Sequence, residues 1–173
     1  MKIYIICNSK TGFTRRYADW IAEETGAVVI PYKKYDKTVI NTEDAVIFGS
    51  HLHAGRIEYL DKIKARFKSH KKFAVFAAGG TPGASAESIE KVWNTNFTTE
   101  ELVLIPHFYM QGGINYEKMG FLDRMLMKTV AKMMSKQRHL SAADAGFAEA
   151  IQNSYDISSR EYIRPLVDYI AGK

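Results

Sequence analysis

Ile3-Tyr4-Ile5-Ile6-Cys7-Asn8-Ser9-Lys10-Thr11-Gly12-Phe13-Thr14-Arg15-Arg16 is the stretch whose reading decides the fold. Four apolar residues in a row predict a buried strand, from about Lys2 to Cys7. Tyr17, Trp20 and Ile21 then recur at helical spacing, so a first helix is expected from about Thr14 to Glu24. Between them lies a loop of Ser, Thr and Gly. A strand that breaks into such a loop and restarts as a helix turns free backbone N–H groups and hydroxyls toward one point, which suits a phosphate. The plain alternative is a strand-to-helix turn capped by a threonine.

Working outward, the same alternation continues. Gly26 closes the helix, Ala27-Val28-Val29-Ile30 reads as a second strand ended by Pro31, and Tyr32 to Asp44 leaves room for a short helix or a loop. Ala45-Val46-Ile47-Phe48 is a third strand, stopping at Gly49-Ser50. Tyr59, Leu60, Ile63 and Phe67 share a helical face within Glu58 to Phe67. A fourth strand at Phe73 to Ala78 ends in Gly79-Gly80-Thr81-Pro82-Gly83. A helix is expected around Ser85 to Trp93, and Leu102 to Met110 reads as a fifth extended stretch before Gln111-Gly112-Gly113. Short apolar strands alternating with amphipathic helices predict an α/β fold, a doubly wound five-stranded parallel sheet with ligands at the carboxyl ends of the strands.

Composition limits what the loop can belong to. The 173 residues are 46% hydrophobic, enough to bury the core of one domain spanning 1–173. A single cysteine rules out an internal disulfide framework, so a reducing cytoplasm is the expected location. The apolar run near the start is too short for a signal peptide, and no stretch is long enough to span a bilayer. The net charge is +5, but from Asn115 to Leu140 six basic residues face only Glu117 and Asp123, so most of the excess sits there. One local basic face is expected, and no nucleic-acid-binding surface.

Three loops carry candidate chemistry. Ser9 to Thr14 lacks the Gly-Lys-Ser/Thr ending of a nucleotide-hydrolysing loop and the glycine spacing of a dinucleotide site, and fits a single phosphate monoester. Ser50-His51-Leu52-His53-Ala54-Gly55 could flank a planar ring, or its histidines could simply decorate a loop. Ala78-Gly79-Gly80-Thr81, with Gly83, permits close backbone approach or is a plain turn. The histidines show no zinc-ligand spacing, and no metal is expected.

Ser9-Lys10-Thr11-Gly12-Phe13-Thr14 resembles the phosphate loop of the flavodoxin family, Ser/Thr-x-Thr-Gly-x-Thr, which wraps the phosphate of FMN. The resemblance covers about Met1 to Gly113 and implies a strand order 2-1-3-4-5, with the loops at Ser50 to Gly55 and Ala78 to Gly83 on either side of the flavin ring. Lys10 and Phe13 fall at its variable positions. Neither ring loop holds a Trp or Tyr, the usual stacking residue of the electron carriers, which leaves His51, Leu52 or His53 for that place.

Ser158 to Ile170 supplies the last helix such a fold needs, with Ser158 and Glu161 spaced as a capping box. Residues 116–157 are therefore an insert after the fifth strand. Within it Met119, Leu122, Met125, Leu126, Val130 and Met133 form an apolar stripe, opposite Arg124, Lys128, Lys132 and Lys136. Such a helix either packs on the core with a solvated face or lies at an interface, against an anionic membrane or an apolar substrate.

Phe121 to Met133 resembles the corresponding segment of the flavodoxin-like menaquinone-dependent protoporphyrinogen oxidases, with Asp-Arg, Lys and Lys-Met at the same spacing, and Arg160 to Ala171 resembles their final helix. That implies an FMN oxidoreductase passing electrons from an apolar-bodied, carboxylated substrate to a quinone, on the inner face of the cell membrane, with Arg124, Lys128 and Lys132 meeting substrate carboxylates or lipid headgroups. No catalytic residue is carried over. An electron-transfer flavodoxin for a redox partner and a flavin-free binding module on the same fold are the alternatives.

Overall fold

A computed structural model describes residues 1–81, 83, 85–134, 136 and 142–173, without the side chains of 37, 142–144 and 147. Pro82 of the fourth-strand loop, and Arg138 and Leu140 of the basic segment, lie outside the described residues. Strand β1 (Ile3–Asn8) leads through the Ser/Thr/Gly loop to helix α1 (Phe13–Thr25) and back to β2 (Val28–Pro31). A 3-10 turn (Tyr32–Lys37), β3 (Ala45–His53), β4 (Arg56–Ile57), α2 (Leu60–Phe67) and β5 (Lys72–Gly79) follow, then α3 (Ala86–Asn96), α4 (Thr99–Leu104) and β6 (His107–Gln111). The insert runs through β7 (Gly113–Ile114), α5 (Phe121–Met134), α6 (Ala142–Ala150) and β8 (Tyr155–Asp156) to a 3-10 turn (Arg160–Ile163) and α7 (Arg164–Ala171).

The main sheet has the order β2-β1-β3-β5-β6, all parallel, which is the expected 2-1-3-4-5 order once the short β4 is set aside. Alternation along each strand separates two cores. Ile5, Cys7, Ile47, Ala74, Phe76 and Met110 pack under Tyr17, Ala18 and Ile21 of α1 and Leu166 of α7. Ile6, Val46, Phe48, Phe73, Val75 and Ala77 pack under Leu60, Ile63 and Phe67 of α2, with Trp93 and Phe97 beyond them. Covering on both faces is why the strands read as unbroken apolar runs. Tyr17 is fully buried and also joins the layers: its hydroxyl donates to the Gln111 carbonyl and accepts from Ser159 N–H at 3.3 Å.

Four local expectations are corrected. Leu102 to Leu104 is helix, not strand, because Thr98 and Glu101 form a reciprocal capping box that starts α4. Tyr59 is not on the buried face of α2; it is that helix's N-cap, at φ 64, 45% exposed and stacked on Tyr32 at 4.3 Å. Ser158 does not cap the last helix: its hydroxyl is taken by Asp156 and Arg16, and Ser159 accepts the Glu161 N–H instead. The third strand does not stop at Gly49-Ser50 but runs on to His53 and folds back onto β4 through Ala54 and Gly55, both at positive φ, as a two-residue hairpin turn requires.

The insert is anchored where it leaves and rejoins the sheet, by antiparallel pairing of β7 with β8. Its helix α5 docks through Met127, Val130, Ala131 and Met134 onto Ile114, Tyr116, Ile151 and Tyr155. Of the two positions open to the apolar stripe, core or interface, most of it takes the exposed one. Leu122, Met125, Leu126 and Met133 are exposed, and only Met119 and Val130 of that stripe pack inward. The apolar arc of α5 is wider than one docking face, and the anchors select its other edge.

Candidate functional site

The sheet edge at the carboxyl ends of β1, β3 and β5 gathers the three predicted loops around one cavity. Lys10, Thr11, Phe13 and Thr14 line one end. His51, Leu52, His53, Ala54 and Gly55 form one wall, and Ala78, Gly79, Gly80 and Thr81 another. Ser9 and Gly12 open onto adjoining clefts on the outer side of the phosphate loop. Ser50 and Gly83 do not line the cavity. Ser50 is fully buried behind the wall, accepting from Asn8 Nδ2 at 3.0 Å and donating to the Glu58 carbonyl at 3.1 Å, while Gly83 N–H is bonded to Gln111 Oε1 at 2.9 Å.

The phosphate-loop end has unmet hydrogen-bonding capacity. Thr14 is 1% exposed, and its Oγ1, like Ser9 Oγ, is buried without a partner. Buried hydroxyls are rarely left unpaired unless they serve a ligand. Gly12 sits at φ 104 as the N-cap of α1, a left-handed conformation that a side chain would strain, and its carbonyl receives the Arg16 N–H, so the helix begins directly behind the loop. The first amides of α1 carry the positive end of its dipole. This donor set fits a phosphate monoester. On the facing wall a Cβ at Gly79 would come within 2.9 Å of Leu52 Cδ1 and 3.0 Å of the Tyr109 hydroxyl, so the backbone itself forms the surface there.

A polar network borders the cavity. His51 Nδ1 lies 3.4 Å from the Asn8 carbonyl, and its Nε2 lies 3.4 Å from Glu58 Oε2. Burial holds the His51 imidazole below its ordinary pKa, against the opposing pull of Glu58. His53 reaches both carboxylates, Glu58 at 4.0 Å and Asp123 of the insert at 3.3 Å. Lys10 pairs with Asp123, and that bond first, then the nearby charges, keeps the Asp123 carboxyl below the usual carboxylate range. Asn8, Glu58 and Asp123 were not expected from the loop motifs.

The insert completes the enclosure: Met119, Asp123, Leu126 and Met127 line the cavity together with Ile114. Arg124 and Lys128 do not line it. They are exposed, as is Lys132. Cys7 ends a strand beside the phosphate loop, but burial pushes its thiol up to about 12, leaving it protonated at ordinary pH and neither a nucleophile nor a ready ligand. Among the described residues no group of His, Cys, Asp or Glu could hold a metal ion. No helix of the described residues is long and apolar enough to cross a membrane.

No individually curated protein matches the chain significantly. A family model described as "Flavodoxin domain" matches residues 4–141, from the first strand through the helix of the insert. Proteins of that family typically bind a flavin, FMN, and serve redox chemistry. With the sheet order, the loop geometry and a match over more than half its length, the chain belongs to the flavodoxin domain family.

Proposed function

We propose that the chain is an FMN-dependent oxidoreductase resembling the flavodoxin-like protoporphyrinogen oxidases, passing electrons from an apolar-bodied substrate to a quinone. The carrying observation is the insert: a cavity framed by flavodoxin loops is walled on its open side by Met119, Leu126 and Met127. A protein that only relays electrons has no use for an apolar wall of this kind, whereas a large apolar substrate does.

FMN, when bound, would supply a two-electron acceptor and donor. Ser9, Thr11, Thr14 and the amides opening α1 would hold its phosphate. The β3–β4 hairpin and the Gly79-Gly80 backbone would hold its ring. Leu52 and Leu126 exclude water from the space beside it. His51, kept neutral by burial and backed by Glu58, is placed to take up or release a proton at Nε2.

The outer surface of α5 supports the membrane part of the reading. Leu122, Met125 and Met133 form an exposed apolar strip, and Arg124, Lys128 and Lys132 run along one side of it. An apolar strip edged by cations matches a surface of anionic headgroups over acyl chains, where a quinone is dissolved.

The test is the absorbance spectrum of the purified protein, followed by anaerobic mixing with a porphyrinogen and a menaquinone analogue. A flavin spectrum that bleaches with the porphyrinogen and recovers with the quinone is expected. A flavin that only a protein reductant bleaches overturns the substrate assignment and leaves an electron-transfer flavodoxin. A colourless protein that does not take up added FMN overturns the flavin reading.

A further inference from the structure

We propose that Lys118, supplied by the insert, is a cationic ligand of the cofactor phosphate and makes the insert a clamp that selects a phosphorylated flavin. The proposal rests on the flavin reading above. It concerns a residue outside the loop motif, more than a hundred positions along the chain from it.

Lys118 Nζ stands 3.7 Å from the point where a Cβ on Gly12 would be, directly over the turn that opens α1. The residue lines both clefts flanking that turn, one with Ser9, Lys10, Thr11 and Arg15, the other with Thr11, Phe13 and Arg16. Its backbone is fixed by a hydrogen bond from its own N–H to Asn115 Oδ1 at 3.0 Å, and Tyr116 N–H is fixed by Ser154 Oγ at 3.0 Å, so this corner of the insert is tied on both sides.

The neighbouring cations are already engaged. Lys10 pairs with Asp123, Arg15 with Asp19 at 2.8 Å, and Arg16 with Asp156 and Ser158. Among the described residues no carboxylate pairs with Lys118. Ser9, whose buried hydroxyl has no partner, lines one of the same clefts, and the turn at Gly12 that opens α1 lies between them. An unneutralised ammonium above unpaired donors marks a place for an anion. The occupant that suits an ammonium, the Ser9 hydroxyl and the first amides of α1 is a phosphate monoester.

The test titrates FMN and riboflavin separately into flavin-free wild type, Lys118→Ala and Lys118→Arg, following flavin fluorescence. Lys118→Ala is expected to weaken FMN about tenfold, leave riboflavin within about twofold and flatten the salt dependence of FMN binding, with Lys118→Arg restoring most of the affinity. Wild type that binds FMN while Lys118→Ala binds it equally well, or loses both flavins equally, overturns the role of Lys118 alone. Wild type that binds neither flavin overturns the flavin reading, and this proposal with it. Lys118 is exposed, so the substitution should leave the fold intact.

Discussion

His53 Nε2 lies 3.3 Å from Asp123 Oδ1, and the other oxygen of the same carboxylate holds Lys10. One side chain of the insert thus bridges the β3–β4 hairpin and the loop after β1, adding to the bonds that Asn8 makes with Ser50 and His51. Exposed ion pairs contribute about 0–1 kcal/mol each, so the bridge sets the position of α5 more than it sets global stability. Asp123→Asn should accelerate amide hydrogen exchange in 121–134 severalfold while β1, β3 and β5 stay protected. Exchange rates unchanged across α5 would show that Met127, Val130 and Ala131 hold the helix unaided.

The same bridge has a defined pH window. Its carboxyl has a folded-state pKa below the unfolded value, so its contribution is complete above about pH 4, the unfolded carboxylate range, and is lost as pH falls through the lowered folded value. His51 acts at higher pH. Burial lowers its folded-state pKa, so the native state binds fewer protons than the unfolded chain between that value and about 6.5, and stability rises with pH across that interval. His51→Gln should flatten the fall in thermal midpoint on acidification from pH 7 to 5. Parallel curves for wild type and variant would mean that other groups control it.

The parallel core was legible because strands covered on both faces leave apolar runs with no alternation, as at Ile3 to Ile6 and Phe73 to Ala78. Leu102-Val103-Leu104 shows the limit of that rule. An apolar run of that length serves strand or helix equally, and the deciding signal was the Thr98–Glu101 capping box directly upstream. The three loops that line the cavity were legible because each follows a strand directly. Asp123 and Lys118 were not, because their approach to Lys10 and Gly12 depends on how β7 and β8 seat the insert, a tertiary contact without local periodicity. The docking edge of α5 is open in the sequence for the same reason: a wide apolar arc does not say which part of it meets Ile114 and Ile151.

The exposed strip on α5 gives a prediction separable by charge and by greasiness. The protein should float with vesicles containing anionic lipid at low ionic strength and not with neutral ones. Leu122→Glu combined with Met125→Glu should abolish flotation, and Lys128→Gln should weaken it by roughly the 1 kcal/mol expected of one basic residue at such a surface. All three positions are exposed, so fold stability should change by less than about 0.5 kcal/mol. Flotation that persists in the double variant would place membrane contact on another surface.

Thr14 offers a test in which stability and binding move in opposite directions. Its Oγ1 is buried without a partner in a residue only 1% exposed, and an unsatisfied buried polar atom costs about 1–3 kcal/mol. Thr14→Val removes the hydroxyl at nearly constant shape, so the flavin-free protein should gain stability, by about 1 kcal/mol in denaturant unfolding. The same change should weaken FMN, because a hydrogen bond to a charged phosphate oxygen contributes about 1.5–3 kcal/mol. Thr11→Ala with Thr14→Ala should cost about 2–3 kcal/mol of FMN affinity for the same reason. The sign reversal in Thr14→Val distinguishes a ligand-facing hydroxyl from a structural one. A structural threonine would lose stability on substitution and leave flavin affinity unchanged, and that result would remove Thr14 from the phosphate site.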